Sequence, residues 1–337
     1  MSPESVAGRN MKMNRMQRCA AILLITAAIP VVGLRAAQEH RDSDPASIDK
    51  AAVATISIAG YPDWLEIGFG SVWVSNDRVN AVQRIDTRTN EIVATVKVNE
   101  PCAAMAAGFG SMWVASCKDK SIVRINARSN KVIAAIPIAV ADSEASLAAG
   151  EGGLWVLSDK KGVLSRISPR TNRVIRRISV KPNSFAAMTG FGSVWITNTG
   201  EHGSSDNGSV QRIDPRRNRV IATIPVRSQP RFFAVGEGGV WVLNQKDGSV
   251  SRINPRTNKV VATIEAGVPG TGGDIAVGEG FVWVRTTKIL LSVIDPKTNA
   301  VVKRFGPKQG SGAVRAGRGA VWVSAHDVNK VWRLNPR

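Results

Sequence analysis

From about residue 50 to the end of the chain, short apolar runs of four to six residues recur between polar turns rich in Gly, Pro, Asn and Asp. Most of the runs alternate apolar with polar positions, the pattern of half-buried β-strands, and no stretch keeps a helical period of useful length. Tryptophan sets the frame. It returns at Trp73, Trp113, Trp155, Trp195, Trp241, Trp283 and Trp322, about 42 residues apart, inside runs such as Gly68-Phe69-Gly70-Ser71-Val72-Trp73-Val74 and Gly236-Glu237-Gly238-Gly239-Val240-Trp241-Val242. A fixed period of this length marks a stack of similar supersecondary units.

Each unit reads as four strands. Strand A is a run of small apolar residues, as at Ala104 to Ala107 or Ile275 to Val277, and ends at a Gly-x-Gly turn. Strand B is the run around the tryptophan. Strand C ends in Arg-Ile-Asp or a variant, as in Arg84-Ile85-Asp86 and Arg252-Ile253-Asn254, and leads into a turn such as Asp214 to Asn218. In that turn Asp or Asn accepts backbone N–H bonds, Pro presets φ, and the closing Asn tolerates the left-handed region. Strand D is β-branched, as at Val260 to Ile264. Seven such units predict an all-β, seven-bladed β-propeller in which every sheet hides a face against the next. One tryptophan per unit has the bulk to fill the gap between twisted sheets. The last unit stops after Leu334-Asn335-Pro336-Arg337 without a strand D, while Val53-Ala54-Thr55-Ile56 ahead of unit one has the letters of Val261 to Ile264. The N-terminal strand is therefore expected to close the last blade and cover its edge.

Residues 1–37 read as a cleavable signal peptide: a basic stretch from Met11 to Arg18, an apolar run from Cys19 to Leu34, then small residues. The run is interrupted by Pro30 and falls short of the roughly 20 residues of a membrane span. Residues 38–47 read as a polar linker and 48–337 as the propeller. A periplasmic or secreted location follows, and it permits Cys102 and Cys117 to pair. They flank the A to B hairpin of unit two and are expected directly opposite one another across a turn at Phe109-Gly110.

The chain has 337 residues, 43% of them hydrophobic, and a net charge of +19, which excludes a disordered polyelectrolyte. The basic charge gathers in the repeated turns, at Arg88, Arg128, Arg170, Arg216, Arg217, Arg256 and Lys297. A solvated rim is one reading of these positions, and a surface for an anionic polymer or membrane is the other. No element that reads nucleic-acid sequence is present.

Candidate chemistry lies on the other face. A to B and C to D turns barely change from unit to unit, whereas B to C loops and the connections between units differ in each, and binding chemistry sits on variable loops of a rigid frame. Alternation in strand A points Glu66 and Arg315 into the channel from neighbouring blades, as an ion pair or, alternatively, with Glu66 as a catalytic carboxylate. Trp64, Arg231, Phe232, Asp274 and His326 form the candidate ligand site, for a small molecule, peptide or glycan, with ordinary channel filling as the alternative. The histidines His40, His202 and His326 share no metal-binding spacing, and no Cys-x-x-Cys or Gly-x-Ser-x-Gly occurs, so no catalytic residue, metal ligand or cofactor is assigned.

The runs Val250-Ser251-Arg252-Ile253-Asn254-Pro255-Arg256-Thr257-Asn258-Lys259-Val260-Val261-Ala262-Thr263-Ile264 and Gly70-Ser71-Val72-Trp73-Val74-Ser75-Asn76 resemble the YVTN-type propeller repeats of bacterial exported proteins. They are also similar to the wider virginiamycin B lyase-like superfamily, over about residues 50 to 337. The resemblance implies the seven-bladed fold. If it extended to activity, it would imply a carbon–oxygen lyase with a histidine base beside a magnesium ion held by acidic residues. No His and Glu cluster of that kind is visible, and no catalytic residue is carried over. The expected function is a monomeric, non-catalytic binding or scaffold module. A lyase-like or hydrolytic enzyme on the variable face and an anionic-polymer binder on the basic rim are the alternatives.

Overall fold

Two-residue turns set the shape of every blade. In the A to B hairpins, Phe69-Gly70, Phe109-Gly110 and their counterparts hold two successive positive φ angles, the geometry that matches the twist of paired strands. The computed structural model describes residues 44–142, 144–200, 208–267 and 272–337. The signal segment, residues 38–43, His40 and His202 lie outside the described residues.

Seven antiparallel sheets follow in chain order, each pairing strand A with B, B with C and C with D. Blade one, for example, consists of Pro62–Gly68, Ser71–Asn76, Ala81–Asp86 and Ile92–Lys97. The seventh sheet takes Val314–Gly317, Ala320–Ala325 and Lys330–Leu334 from the end of the chain and Ala52–Ser57 from its beginning. Ala54, Thr55 and Ile56 pair antiparallel with Arg333, Trp332 and Val331, as the matching letters predict. Ordered packing starts a little earlier than expected. Ala46–Ser47 pairs in parallel with Phe305 and Gly306 of blade six, and Ser47 caps a single helical turn, Ile48–Ala51, whose Ile48 is fully buried.

The repeated tryptophans fill the spaces between blades: Trp73, Trp113, Trp155, Trp195, Trp241 and Trp322 are fully buried, and Trp283 nearly so. All but Trp322 donate their indole N–H to the carbonyl of the Gly five residues earlier, as Trp241 does to Gly236 at 3.0 Å. In every blade but the sixth, the arginine of strand C lies over the tryptophan of its own blade, 4.6 Å from the ring in the case of Arg124 and Trp113. Its guanidinium then crosses to the C to D turn of the next blade.

Cys102 and Cys117 form a disulfide with Cα atoms 5.8 Å apart. The register differs from the expected one. Strand A of blade two is only Ala106–Gly108, and the pairing slips by two residues between Ala106↔Trp113 and the bridge Pro101↔Ser116. The extra residues on the A side set Cys102 beside Ala115, to whose carbonyl it donates its backbone N–H at 3.3 Å. Cys117 is thus a diagonal neighbour, still within reach of a disulfide.

Candidate functional site at the channel mouth

The bases of three A strands are bulged. Pairing jumps from Pro62↔Asn76 to Leu65↔Val74 in blade one, from Ser184↔Asn198 to Ala187↔Ile196 in blade four, and from Pro230↔Asn244 to Phe233↔Val242 in blade five. Two residues on strand A then face one on strand B, which re-aims Asp63 with Trp64, Phe185 with Ala186, and Arg231 with Phe232. Hydroxyls two residues beyond the repeated tryptophan tie the bulges down. Ser75 accepts from the Trp64 N–H at 3.0 Å; Thr197 accepts from the Ala186 N–H and donates to the Arg231 carbonyl at 2.8 Å. Ser324 of blade seven donates to the Asp63 carbonyl of blade one at 2.6 Å.

Blade six departs from this scheme. It runs in register, with Asp274 opposite Arg285, and Arg285 takes the position of the hydroxyl. Its guanidinium is fully buried and donates to the backbone carbonyls of Ser324 at 3.2 Å, Thr286 at 3.0 Å and Gly310. Burial pushes its pKa down to about 10, against the pull of the Asp327, Asp274 and Asp63 carboxylates, so it remains a cation at neutral pH. Arg285 thereby joins blade six to blade seven.

Three of the residues expected at the site come together. Trp64 and Phe232 lie 5.8 Å apart at 48°, Phe185 meets Phe232 edge-on at 5.4 Å, and the Arg231 guanidinium rests 5.3 Å from the Phe185 ring. Below them opens a cavity of about 150 Å³. One wall is made of small residues from blades two to four, among them Ala104, Ala106, Ala148 and Ala187; the other is Trp64, Phe232, Glu66, Asp274 and Arg315.

The channel ion pair is a bridge of three residues. Arg315 donates from Nε to Glu66 at 3.3 Å and from Nη1 to Asp274, which also accepts from the backbone N–H groups of Val314 and Ile275 at 3.0 and 2.9 Å. Asp274 therefore anchors the wall of the cavity. Burial alone would lower Arg315, but Asp274 and Glu66 outweigh it and raise its pKa; burial holds Glu66 up at about 6 despite Arg315.

His326 belongs to a different group. It stacks on Tyr61, with ring centres 3.9 Å apart, and shares a 3.0 Å hydrogen bond between Nε2 and the Tyr61 hydroxyl. Arg78 lies over the same tyrosine at 4.7 Å. Burial lowers the pKa of His326, the nearby Asp327 opposing, which leaves the imidazole neutral at pH 7.

Two acids complete the mouth. Burial, reinforced by Asp77, raises Asp63 to about 7; burial, reinforced by Asp63 and Asp142, raises Glu144 to about 7. Asp63 comes from the bulge of blade one and Glu144 from the connection between blades two and three, and the Asp274 carboxylate adds to the upward shift of both. Asp63, Glu144, Phe185 and Arg285 escaped the alternation rule. For Arg285 a signal existed: the residue two places after each repeated tryptophan is Ser75, Ala115, Leu157, Thr197, Leu243, Arg285 and Ser324, and only one of these is charged. Among the described residues no three His, Cys, Asp or Glu side chains gather as ligands for one metal ion. No step is assigned to the magnesium that the lyase resemblance implies.

Ring, closure and axial cavity together define a seven-bladed β-propeller repeat protein. A family model described as a repeat of unknown function (DUF6923) matches residues 105–223, and no curated protein matches in sequence. Among solved structures, a streptogramin B lyase is similar at 16% identity and a TM-score of 0.67, covering 85% of this chain and 96% of its own. Virginiamycin B lyase from Staphylococcus aureus is similar at 13% identity and 0.66, over 84% of this chain and 98% of its own. BamB from Moraxella catarrhalis follows at 9% identity and 0.61, over 84% and 99%. The chain has the fold of the virginiamycin B lyase-like propellers.

Proposed function

We propose that this chain is an exported, non-catalytic binding module that takes its ligand at the channel mouth on the variable-loop face. The observation that carries the reading is the cavity itself, walled by alanines on one side and by Trp64 and Phe232 on the other. A cavity of about 150 Å³ takes up one benzene ring. The ligand accordingly inserts a ring-sized apolar group, while Arg231, Asp63 and Glu144 at the rim orient its polar end. Several polar groups near the cavity are engaged with one another: Arg315 holds Asp274 and Glu66, and Nε2 of His326 faces the Tyr61 hydroxyl. The disulfide suits an oxidising compartment and supports export.

A thermal-shift screen of aromatic amines, aromatic acids and aromatic-ended peptides tests the proposal. Binding by any hit should be lost in Ala148→Phe, which fills the cavity, and weakened in Trp64→Ala, with the fold retained. Trp64 and Trp241 are both buried, so both alanine variants should lose stability, about 3–5 kcal/mol for Trp241→Ala, but only Trp64→Ala should weaken binding by the folded protein. Hits whose affinity ignores both cavity variants would move the site elsewhere, and conversion of a hit to product would end the non-catalytic reading.

A further inference from the structure

The face opposite the channel mouth carries exposed aromatics inside a basic rim. Phe69, Phe109 and Phe191, at the A to B turns of blades one, two and four, are 38%, 41% and 45% exposed. All three sit in the left-handed region, with φ of 55°, 54° and 51°, where Asn or Gly is the ordinary residue and a bulky side chain costs on the order of 1–3 kcal/mol. In blades three, five and six the same position is Glu151, Glu237 and Glu279. Each accepts a hydrogen bond from the turn glycine of the next blade, Gly192, Gly280 and Gly319, at 3.1, 3.1 and 2.9 Å. Those glutamates clasp neighbouring turns, a task no phenylalanine side chain can perform.

The C to D turns lie in the same layer: Thr87 donates to the Gly70 carbonyl at 3.1 Å, and Arg84 and Arg124 donate to the Phe69 and Phe109 carbonyls at 3.2 and 3.3 Å. These turns carry the exposed cations Arg88, Arg128, Arg170, Arg216, Arg256 and Lys297. The acids beside them are occupied, since Asp86 and Asp214 accept the backbone N–H groups of their own turns at 2.7 and 2.8 Å. Strand D begins directly behind, with Ile92, Val132 and Ile221 exposed.

We propose that this face docks on a lipid bilayer carrying anionic headgroups. The phenylalanines enter the boundary between headgroups and acyl chains, and the turn arginines meet the headgroup phosphates. A soluble polyanion would be held by the cations alone and would gain nothing from aromatics exposed at strained turns, whereas a bilayer surface accepts both. Docked this way, the protein turns its channel mouth away from the membrane.

Co-sedimentation of the chain without its signal segment, residues 38–337, with vesicles tests the assignment. Vesicles of phosphatidylcholine and phosphatidylglycerol in equal parts should bind it, and phosphatidylcholine alone should not. The triple variant Phe69→Ser, Phe109→Ser, Phe191→Ser should bind the mixed vesicles about tenfold or more weakly. Its thermal melting should stay close to that of the unchanged chain, because serine keeps a Cβ at the same positive φ and no core is touched. Arg128→Ser with Arg256→Ser should also weaken binding and flatten its salt dependence. Full binding by the triple phenylalanine variant, or binding to heparin with no binding to mixed vesicles, would overturn the proposal.

Discussion

Arg212 reaches across a blade boundary: its Nη1 donates to Asn258 Oδ1 at 2.9 Å and to the Pro255 carbonyl at 2.6 Å, while its guanidinium lies 4.8 Å from the Trp195 ring. The same relationship links Arg84 to Asn130, Arg124 to Asn172, Arg166 to Asn218, Arg252 to Asn299 and Arg333 to Asn90. Two letters of the repeat, the arginine near the end of strand C and the asparagine that closes the turn, are the halves of one inter-blade bond. Blade six has Val293 opposite Trp283 where the others have arginine. The turn it would reach is divided, because strand D of blade seven comes from the other end of the chain.

Arg212→Ala should destabilise the propeller by about 2–3 kcal/mol, since it removes a partly buried cation and leaves two acceptors without their donor. Arg212→Lys should recover only part of this, because an ammonium cannot fork between the carbonyl and the amide while stacking on the ring. Urea unfolding followed by tryptophan fluorescence gives the ranking. Equal midpoints for all three proteins would mean that packing alone holds the blades together.

Ile56→Pro should lower the melting temperature far more than Val53→Ser. Ile56 lies within the closing ladder opposite Val331, and because Ile58 two residues on donates its N–H to Asn329, the Ile56 N–H faces the same strand, so proline deletes a ladder donor. Val53 sits at the slip in that ladder and is 62% exposed. Melting curves of the two variants, recorded side by side, decide whether the N-terminal strand holds the ring shut.

Stability should fall as pH rises from about 5 to 7.5. Asp63, Glu66 and Glu144 have pKa values of about 7, 6 and 7 in the fold, above their ordinary values of 3.8, 4.5 and 4.5. Across that window the native state holds protons that the unfolded chain has released, which makes the slope of stability against pH negative. His326, whose pKa is lowered, contributes with the opposite sign below its ordinary 6.5. The double variant Asp63→Asn, Glu144→Gln isolates the carboxyls: its melting temperature should change less over the window than that of the unchanged chain. Parallel curves would show that these two groups titrate as they do in water.

The ring was legible because its signals are periodic. Trp73 and its counterparts fix the blade count, and Val53 to Ile56 repeats the letters of Val261 to Ile264, so closure followed without a structure. The pairing of Cys102 with Cys117 was also legible, though its register was not, since the two extra residues of strand A have no distinct composition. The site was harder to read for the same reason. Bulges at Asp63–Trp64 and Arg231–Phe232 break the two-residue alternation that assigns side chains to the channel. Alternation therefore does not reveal Asp63, and Glu144 lies in a connection ahead of strand A where no alternation applies; Asp274, opposite in the channel, is held by Arg315. His326 was grouped with Trp64 on loop position alone, whereas its contacts are with Tyr61.

Closure by Ala52–Ser57 also sets an order of events in time. The strand that completes blade seven is among the first parts of the propeller to be made, yet its partner, Lys330–Leu334, is made last. Six blades can form from neighbouring segments as the chain emerges, but the seam waits for a contact that spans nearly the whole propeller. Until then the strand from blade seven and the strand at the start both present unpaired edges, the kind of surface through which separate molecules join. The interval between the first blade and the last is thus the period in which this protein is most exposed to aggregation, and a chaperone that shields strand edges would act then.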